Sequence, residues 1–285
     1  MKLDDYDKEE QFAASVVSST RITEENSDAE IREIVLEIDR EMAYAPGQSI
    51  GIPIPGPHPQ GHDVHFRLYS VADTAPFEAG EKPRVTIAVR RVNYIDEYSG
   101  ERYDGIASNY LCNLGPGDTI TITGPYGYAF EKPEDKTANL LLIGMGTGIA
   151  PFRAFIKHLY RDAPDWQGKV RLFFGAHTGL EHVYMNDRRD DFALYYDQET
   201  FEAFKAVSPR PSWADPIAWD YCLEERSEEI LEMLDDPKTH VYVAGLEEVR
   251  DELDKVFANM LGSAEKWQRR RAELVAGGRW AELLY

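Results

Sequence analysis

The stretch that most constrains the fold is LLLIGMGTGIAPFRAF, residues 140–155. Its unbroken apolar run up to Ile143 is typical of a buried parallel strand. The residues after Gly148 repeat apolar side chains three and four apart, which predicts a helix. A strand that passes through a glycine turn directly into a helix is the repeating unit of open α/β sheets, whose ligands bind beyond the carboxyl ends of the strands. This part of the chain is therefore predicted to be an α/β domain.

The glycine turn also suits a phosphate group. Glycines let the backbone approach a diphosphate closely, and free N–H groups at a helix N-terminus attract its negative charge. We therefore predict that Gly146, Thr147, Gly148 and Pro151 bind a cofactor phosphate. The spacing is neither GxGxxG nor a P-loop. Tight packing of strand against helix is the alternative interpretation.

The first half of the chain has a different pattern. Residues 16–135 consist of short alternating runs such as VVSSTRI and DTITITGPYG, separated by Gly, Pro and Asn, which predicts an antiparallel barrel or sandwich. Residues 1–15 are predicted to be an acidic flexible tail. The α/β domain is predicted to span residues 136–285, with two more buried strands in VRLFFGAH and THVYVAGL and a charged helix from about residue 247.

Three segments of the first half carry candidate binding residues. In HFRLYSVAD, Arg67 and Tyr69 alternate on one face of a strand, and a twist or bend would bring Ser70 toward the same elongated ligand. GIASNYLC predicts a short helix whose first N–H groups suit a second pyrophosphate, although Ser108 alone is typical of an ordinary N-cap. VRRVNY offers Arg90 and Tyr94, which a solvated strand face would also explain.

Composition excludes several classes of protein. With 31 Lys and Arg against 51 Asp and Glu, the formal charge is −20, which argues against nucleic acid and anionic membranes as partners. Such a charge is also typical of proteins that work at high salt. No apolar run reaches the roughly 20 residues of a membrane span. The acidic N-terminal sequence predicts a cytoplasmic protein. Cys112 and Cys222 form no CxxC motif, so no metal site is predicted.

The order of the motifs carries a family resemblance. GQSIGI, FRLYSVAD, RRVNY, GIASNYLCNLGPGD, GPYG, GMGTGIAPFRAF, LFFGA and VYVAGL occur in this order, followed by a terminal aromatic residue. Over residues 16–285 the chain resembles plant-type ferredoxin–NADP(H) reductases. The resemblance implies an N-terminal antiparallel β-barrel that binds FAD and a C-terminal α/β parallel-sheet domain that binds NADP(H). It implies an FAD-dependent oxidoreductase that transfers electrons between NADP(H) and ferredoxin or flavodoxin, with hydride transfer at flavin N5.

The resemblance also implies roles for single residues. Arg67 would hold the FAD pyrophosphate, Tyr69 would stack on the isoalloxazine ring and Tyr94 on the adenine. Tyr285 would cover the other flavin face and move aside for nicotinamide. The implied catalytic residues are Ser70, Tyr285 and Glu282. The implied cofactor-binding residues are Arg67, Leu68, Tyr69, Ser70, Arg90, Tyr94, Ile106, Ala107, Ser108, Gly146, Thr147, Gly148, Pro151, Ser208, Arg210, Tyr221, Gly245 and Tyr285.

The nucleotide preference depends on AVSPRPSWADPIAWDYC. Here Ser208, Arg210 and Tyr221 match the residues that hold the 2′-phosphate in the family, which favours NADP(H). A proline separates the first two, and Trp219 stands where the family has a lysine, so an ordinary surface loop is the alternative.

Two residues depart from the family's pattern at positions that the resemblance links to catalysis. Ala244 stands where the family has a cysteine after the last buried strand. Leu283 stands where the family has a glutamate, and Glu282 lies one place earlier.

The partner is less constrained than the cofactors. Five basic residues in 153–171 and four in 266–271 would form a local basic face for a small acidic carrier, or they are the ordinary cations of amphipathic helices. A reductase component of a multicomponent oxygenase and a non-catalytic flavoprotein subunit are the alternative functions. The nicotinamide preference and flavin reduction separate these three interpretations.

Overall fold

The computed structural model describes residues 6–40, 42–56, 58, 63–74, 81–127, 130–211 and 215–285. The chain forms two compact units, Met1–Ala129 and Phe130–Tyr285. In the first unit six strands close into a barrel in the order β1-β2-β5-β4-β3-β8, with every neighbouring pair antiparallel. These strands are β1 (Gln11–Arg21), β2 (Ile31–Ile38), β3 (Ser49–Pro55), β4 (Val64–Thr74), β5 (Arg84–Arg90) and β8 (Thr119–Tyr126).

The barrel also carries a hairpin and a helix that the candidate site uses. The hairpin is β6 (Asn93–Ile95) with β7 (Arg102–Asp104), and it leads directly into α1 (Ile106–Cys112). The barrel core is made by alternating aliphatic residues, among them Ile50 and Ile52 of β3 and Ile87 of β5, which are all fully buried. This period of two is what the sequence pattern predicted.

The predicted tail is wrong for residues 11–15. They form the start of β1 and pair with residues 119–123 of β8. Ala14 is buried like Val16, so the inward alternation of the strand already begins before the predicted start at residue 16. Residues 11–15 have the sequence QFAAS, which contains two alanines and no β-branched residue, and this composition hid the strand.

The second unit is a parallel five-stranded sheet in the order β13-β10-β9-β14-β15. Its strands are β9 (Leu140–Met145), β10 (Val170–Ala176), β13 (Phe201–Val207), β14 (His240–Gly245) and β15 (Trp280–Leu284), and a small hairpin joins β11 (Met185–Asn186) to β12 (Arg189–Asp190). Its helices are α2 (Ile149–Asp162), α3 (Trp219–Glu224), α4 (Ser227–Asp235), α5 (Glu248–Met260) and α6 (Ala264–Ala276). The strand order reverses between β9 and β14, which is where such sheets bind ligands.

The chain passes from one unit to the other at residues 129–130. The ring of Phe130 stacks on Phe152 and lies edge-on to Tyr242, at centroid distances of 5.7 and 5.4 Å. The Tyr242 hydroxyl donates to the carbonyl oxygen of Glu131 at 2.6 Å. Residues 130–131 therefore pack with the α/β unit, whereas a boundary between functional domains at residues 135–136 stays a prediction.

Two other elements differ from the sequence prediction. The charged C-terminal helix is two helices, because Gly262 adopts a left-handed φ of 67° and Ser263 caps α6 by accepting from the N–H of Lys266. The edge strand β13 lies in the segment ETFEAFKAVS, for which the sequence pattern predicts no element.

Within the described residues, no helix is long and apolar enough to cross a membrane, and no group of His, Cys, Asp and Glu is arranged to hold a metal ion. Cys112 and Cys222 are both free and buried.

Candidate functional site

The glycine turn lies at the switch point of the sheet. After β9, residues Gly146–Gly148 make one 3-10 turn, and α2 starts at Ile149. Gly146 has a φ of 58°, which a residue with a side chain rarely adopts. A Cβ on Gly148 would lie 2.3 Å from the carbonyl oxygen of Ala244, so the turn packs directly on the end of β14. Tight packing and a helix N-terminus without a side-chain cap therefore occur together here, with Gly146 and Thr147 the half-buried residues of the turn.

The first turn of α2 has no side-chain cap. No side chain caps the helix at Gly148, and Pro151 occupies its third position, where the missing N–H leaves no intrahelical bond unmade. The N–H groups at the start of this 14-residue helix carry the positive end of its dipole. The structure thus brings Gly146, Thr147, Gly148 and Pro151 to one edge of the sheet, and their binding of a cofactor phosphate stays a prediction.

The last residue of the chain completes this edge. β15 runs parallel to β14, and the Tyr285 N–H donates to the carbonyl oxygen of Gly245 at 3.0 Å. The hydroxyl groups of Tyr285 and Thr147 are 2.5 Å apart. The half-exposed Tyr285 therefore lies over the carboxyl ends of β9 and β14, beside Gly245. Tyr285 therefore lies at the switch-point edge, where open α/β sheets bind their ligands.

Glu282 has a different environment from the one a proton donor needs. It accepts hydrogen bonds from Arg250 at 2.6 Å, from Arg271 at 2.7 Å and from the indole N–H of Trp280 at 2.6 Å. Burial opposes ionisation of Glu282, but these hydrogen bonds outweigh it and hold its pKa below the usual value. The predicted catalytic role of Glu282 is therefore not supported, because the carboxylate is locked as an ionised anchor of β15.

The three residues predicted to hold the 2′-phosphate differ in exposure. Ser208 is buried, and its hydroxyl donates to the carbonyl oxygen of Asp215 at 2.8 Å. Arg210 is exposed, and its Nε donates to the Asp215 carboxylate at 2.8 Å. Tyr221 is exposed on α3, where a hydrogen bond with Glu225 raises its pKa. The Ser208 hydroxyl is therefore used within the loop, whereas the side chains of Arg210 and Tyr221 reach solvent.

On the barrel, β4 presents the predicted flavin-binding segment. The β3–β4 register runs without interruption from Pro55↔Val64 to Ser49↔Ser70, so Arg67 and Tyr69 share one face and Leu68 and Ser70 share the other. The pairing of β4 with β5 shifts just beyond Ser70, between residues 71 and 73, at an irregularity of the kind that often re-aims side chains near sites.

The side chains of this segment differ in their surroundings. Arg67 is exposed, and its guanidinium donates to the carbonyl oxygen of Phe66 at 2.8 Å. Tyr69 packs against the barrel core, and burial raises its pKa, so its phenol stays neutral. The segment thus offers a cation to solvent and an aromatic ring with one side supported by the core.

The start of α1 corrects the interpretation of Ser108. Gly105 is the N-cap, and Ser108 is the third helical residue, so it is not an ordinary capping serine. Its hydroxyl instead accepts from the N–H of Val92 at 3.1 Å. No side chain caps the helix, which leaves the N–H groups of Ile106 and Ala107 without a capping acceptor, as a bound pyrophosphate would require.

Sequence reasoning missed the residue that fixes α1. Arg91 donates to the side-chain oxygens of Asn109 at 2.8 Å and Asn113 at 3.0 Å, and its Nε donates to Glu30 at 2.7 Å. The hydrogen bond from Arg91 is the main cause that lowers the pKa of Glu30. The pair RRVNY was visible, but only the fold shows that Arg91 binds the helix, while Arg90 ends β5 half-buried.

The predicted adenine platform is exposed and supported from behind. Tyr94 is 56% exposed, and its ring stacks on Tyr103 with centroids 5.5 Å apart and an interplanar angle of 21°. Glu101 accepts from the Tyr103 hydroxyl at 2.7 Å. Tyr103 was missed because its pairing with Tyr94 follows from the β6–β7 register and not from spacing alone.

The basic residues that suggested a docking face are mostly paired with acids. Arg171 bonds to Glu229 at 2.8 Å, and Arg270 bonds to Asp235 at 2.7 Å. Among the other cations of the two clusters, ion pairs are made by Arg153, Arg161, Lys169, Arg269 and Arg271. These ion pairs favour the interpretation as ordinary paired cations, of which Arg171 lies on β10 and Lys169 directly before it, whereas the others are on α2 and α6.

Comparison with known proteins agrees with this architecture. Residues 142–254 match the family model for the oxidoreductase NAD-binding domain. A ferredoxin–NADP reductase of Picosynechococcus sp. is 31% identical over 287 residues, which cover 96% of this chain and 70% of that protein. The chain belongs to the ferredoxin–NADP reductase family. A second member, from Thermosynechococcus vestitus, is 32% identical and covers 93% of this chain and 70% of its own length.

Solved structures support the same fold. The ferredoxin–NADP+ reductase of Plasmodium falciparum with 2′P-AMP aligns with a TM-score of 0.72 at 21% identity, covering 98% of both chains. Family membership confirms the resemblance read from the ordered motifs. The closed barrel and the parallel sheet confirm the predicted fold class.

Proposed function

We propose that this member of the ferredoxin–NADP reductase family is an FAD enzyme that transfers electrons between NADP(H) and ferredoxin or flavodoxin. Its family membership, over 96% of the chain, is the observation that carries the proposal. The flavin, when bound, accepts a hydride and releases electrons singly. The second unit, with its NAD-binding match, is the part proposed to take the nucleotide.

The residues of the barrel fit FAD. The exposed Tyr94 ring offers an adenine a face that Tyr103 supports, and the uncapped start of α1 offers backbone N–H groups to a pyrophosphate. Arg67 has a solvent-exposed guanidinium for the same diphosphate. We assign stacking on the isoalloxazine to Tyr69 and a hydrogen bond near N5 to Ser70, with Leu68, Arg90, Ile106, Ala107 and Ser108 lining the cofactor.

The residues of the α/β unit fit a nicotinamide nucleotide. The turn Gly146–Gly148 and the start of α2 would hold its diphosphate, with Pro151 and Gly245 shaping the edge. Tyr285 would exclude water from the switch point until the nicotinamide displaces its ring. Ala244 replaces the family's cysteine without a thiol, so positioning of the nicotinamide would depend on packing and alignment.

The test is carrier reduction by the purified holoenzyme. NADPH is added to the protein with ferredoxin, and cytochrome c reduction reports single electrons leaving ferredoxin. We expect turnover that depends on both NADPH and ferredoxin. Turnover that needs no carrier protein, or none with ferredoxin or flavodoxin, would contradict the proposal.

Arg67→Gln gives the residue-level test, with Arg84→Gln as the matched control. Both arginines are exposed on neighbouring barrel strands, and Arg84 pairs only with Glu37 among the contacts described for it. Loss of a charge-assisted contact of about 1.5–3 kcal/mol should weaken FAD binding roughly 10- to 100-fold in Arg67→Gln alone.

A cytoplasmic location is part of the proposal, and recovery of the full-length protein with the membrane fraction would contradict it.

A further inference from the structure

The loop after β13 holds a cation and an acid in contact. The Arg210 Nε donates to Asp215 Oδ2 at 2.8 Å, and the Ser208 hydroxyl donates to the Asp215 carbonyl oxygen at 2.8 Å. The Asp215 side chain is 24% exposed and the Arg210 side chain is 65% exposed. The acid is therefore held in place from its backbone, and the arginine reaches outward from it.

The Arg210–Asp215 pair lies where the adenosine half of a nucleotide would be recognised. β13 is the edge strand, two strands from β9 in the sheet, and parallel strands are spaced by roughly 5 Å. In dinucleotide-binding sheets an acid accepts a hydrogen bond from the ribose 2′-hydroxyl of NAD, whereas an arginine accommodates the 2′-phosphate of NADP. Here both residue types occur in one loop, and each is the other's partner.

No second cation reinforces Arg210 in this segment. Residues 208–221 contain one basic residue, Arg210, and two acids, Asp215 and Asp220. Trp219 is buried, and a Cβ on Gly175 would lie 2.4 Å from its ring, so it fills the core beside β10. Arg210 is thus the single cation of this segment, and Asp215 is its counter-ion.

We propose that Asp215 is a specificity-determining residue that lowers the preference for NADPH over NADH. Its carboxylate competes with a 2′-phosphate for Arg210 and repels that phosphate, and it can accept a hydrogen bond from the free 2′-hydroxyl of NADH. This inference rests on the proposed function, because it assigns the adenosine end of the nucleotide to the loop after β13.

The experiment measures dissociation constants of 2′-phospho-AMP and of 5′-AMP for the holoenzyme by calorimetry. Asp215→Asn should tighten 2′-phospho-AMP binding about tenfold and should not tighten 5′-AMP binding. Asp220→Asn is the matched control, since it removes the same charge from an exposed position five residues away, and it should change either constant less than twofold. In an Arg210→Gln background, Asp215→Asn should lose most of its effect, because the competed cation is gone.

Three results would overturn the inference. The first is a dissociation constant of 2′-phospho-AMP that Asp215→Asn leaves unchanged. The second is an equal gain in 2′-phospho-AMP affinity in Asp220→Asn. The third is no measurable binding of 2′-phospho-AMP to the native protein or to Asp215→Asn. Asp215→Ser is measured in parallel with thermal unfolding, so that misfolding of one variant does not decide the outcome. Flavin reduction by NADPH is recorded separately. If NADPH does not reduce the flavin but the dissociation constants change as expected, only the proposed function is contradicted. If NADPH reduces the flavin but Asp215→Asn leaves the dissociation constants unchanged, only the role of Asp215 is contradicted.

Discussion

At the carboxyl ends of β9 and β14 the backbone makes the candidate site, whereas at the end of β13 side chains make it. The first edge depends on the close approach of Gly148 to Ala244 and on the uncapped start of α2. The second edge depends on the hydrogen bonds of the Arg210 and Ser208 side chains, and both side chains donate to Asp215. A backbone site tolerates almost no added atom, whereas a side-chain site changes its preference with a single charge.

The largest effect is expected at the backbone edge. In Gly148→Ala the new methyl group would lie 2.3 Å from a carbonyl oxygen, so the turn must shift. We expect a loss of about 3 kcal/mol in unfolding free energy and of measurable NADPH binding. Gly179→Ala is the control, because its Cβ would meet no atom within 4 Å. Chemical denaturation and nucleotide titration check both, and a neutral Gly148→Ala would contradict the close approach.

The next effect concerns the strand that carries Tyr285 to this edge. Glu282→Gln removes the anion that Arg250 and Arg271 share, although Arg271 keeps its ion pair with Asp254, and we expect a loss of about 2 kcal/mol in unfolding free energy at neutral pH. Because the folded pKa of Glu282 is lowered, its contribution is present above the unfolded pKa of about 4.3 and disappears as the pH falls through the folded pKa.

Unfolding curves at several pH values check this prediction. The difference between the native protein and Glu282→Gln should shrink below about pH 4. Glu273→Gln is the control, since Glu273 is exposed and its ion pairs are long. A difference that stays constant down to pH 2, or one no larger than that of the control, would contradict the role of Glu282 as an ionised anchor.

A smaller effect is expected when the ring at the switch point is removed. At a concentration that already saturates the enzyme with NADPH, Tyr285→Ser should narrow the difference in rate between NADPH and NADH about fivefold. Removing the ring held at Thr147 and Gly245 strengthens the binding of both nucleotides, but only NADH is still below saturation. Tyr285→Phe keeps the ring and loses only the hydroxyl contact, so it should retain most of the discrimination. Steady-state kinetics with both nucleotides check this, and identical kinetics in Tyr285→Ser would sink the prediction.

The smallest effect is expected for Ser208→Ala, at the loop after β13. In Ser208→Ala the lost hydroxyl is one that donates within the loop, so we expect a cost of about 1 kcal/mol in stability. Binding of 2′-phospho-AMP should change less than twofold. A tenfold loss of that binding with unchanged thermal unfolding would instead mean that Ser208 contacts the phosphate, as the resemblance implied.

These differences explain what the sequence could and could not predict. β9 and α2 were predicted because continuous apolar runs and 3.6-residue spacing dominate them, and α2 spans residues 149–162 as its pattern indicated. β13 was missed because it is an edge strand with only Phe201 and Ala206 buried, so charged residues interrupt its alternation. The start of β1 was missed for want of β-branched residues.

The site divides in the same way. The glycine turn was readable because backbone geometry is encoded locally by residue type. The environments of Glu282 and Ser208 were not, because Arg250, Arg271 and Asp215 become their partners only when β15 and the loop after β13 are folded. Tyr103 and Arg91 were missed for the same reason.

An anaerobic titration of the purified protein with NADPH, followed through the visible flavin spectrum, tests the proposed electron transfer most directly. We expect a bound FAD whose absorption is bleached by NADPH, with NADH bleaching it as well at higher concentration. A protein that retains no flavin and binds no added FAD, or a bound flavin that neither nucleotide reduces, would contradict it.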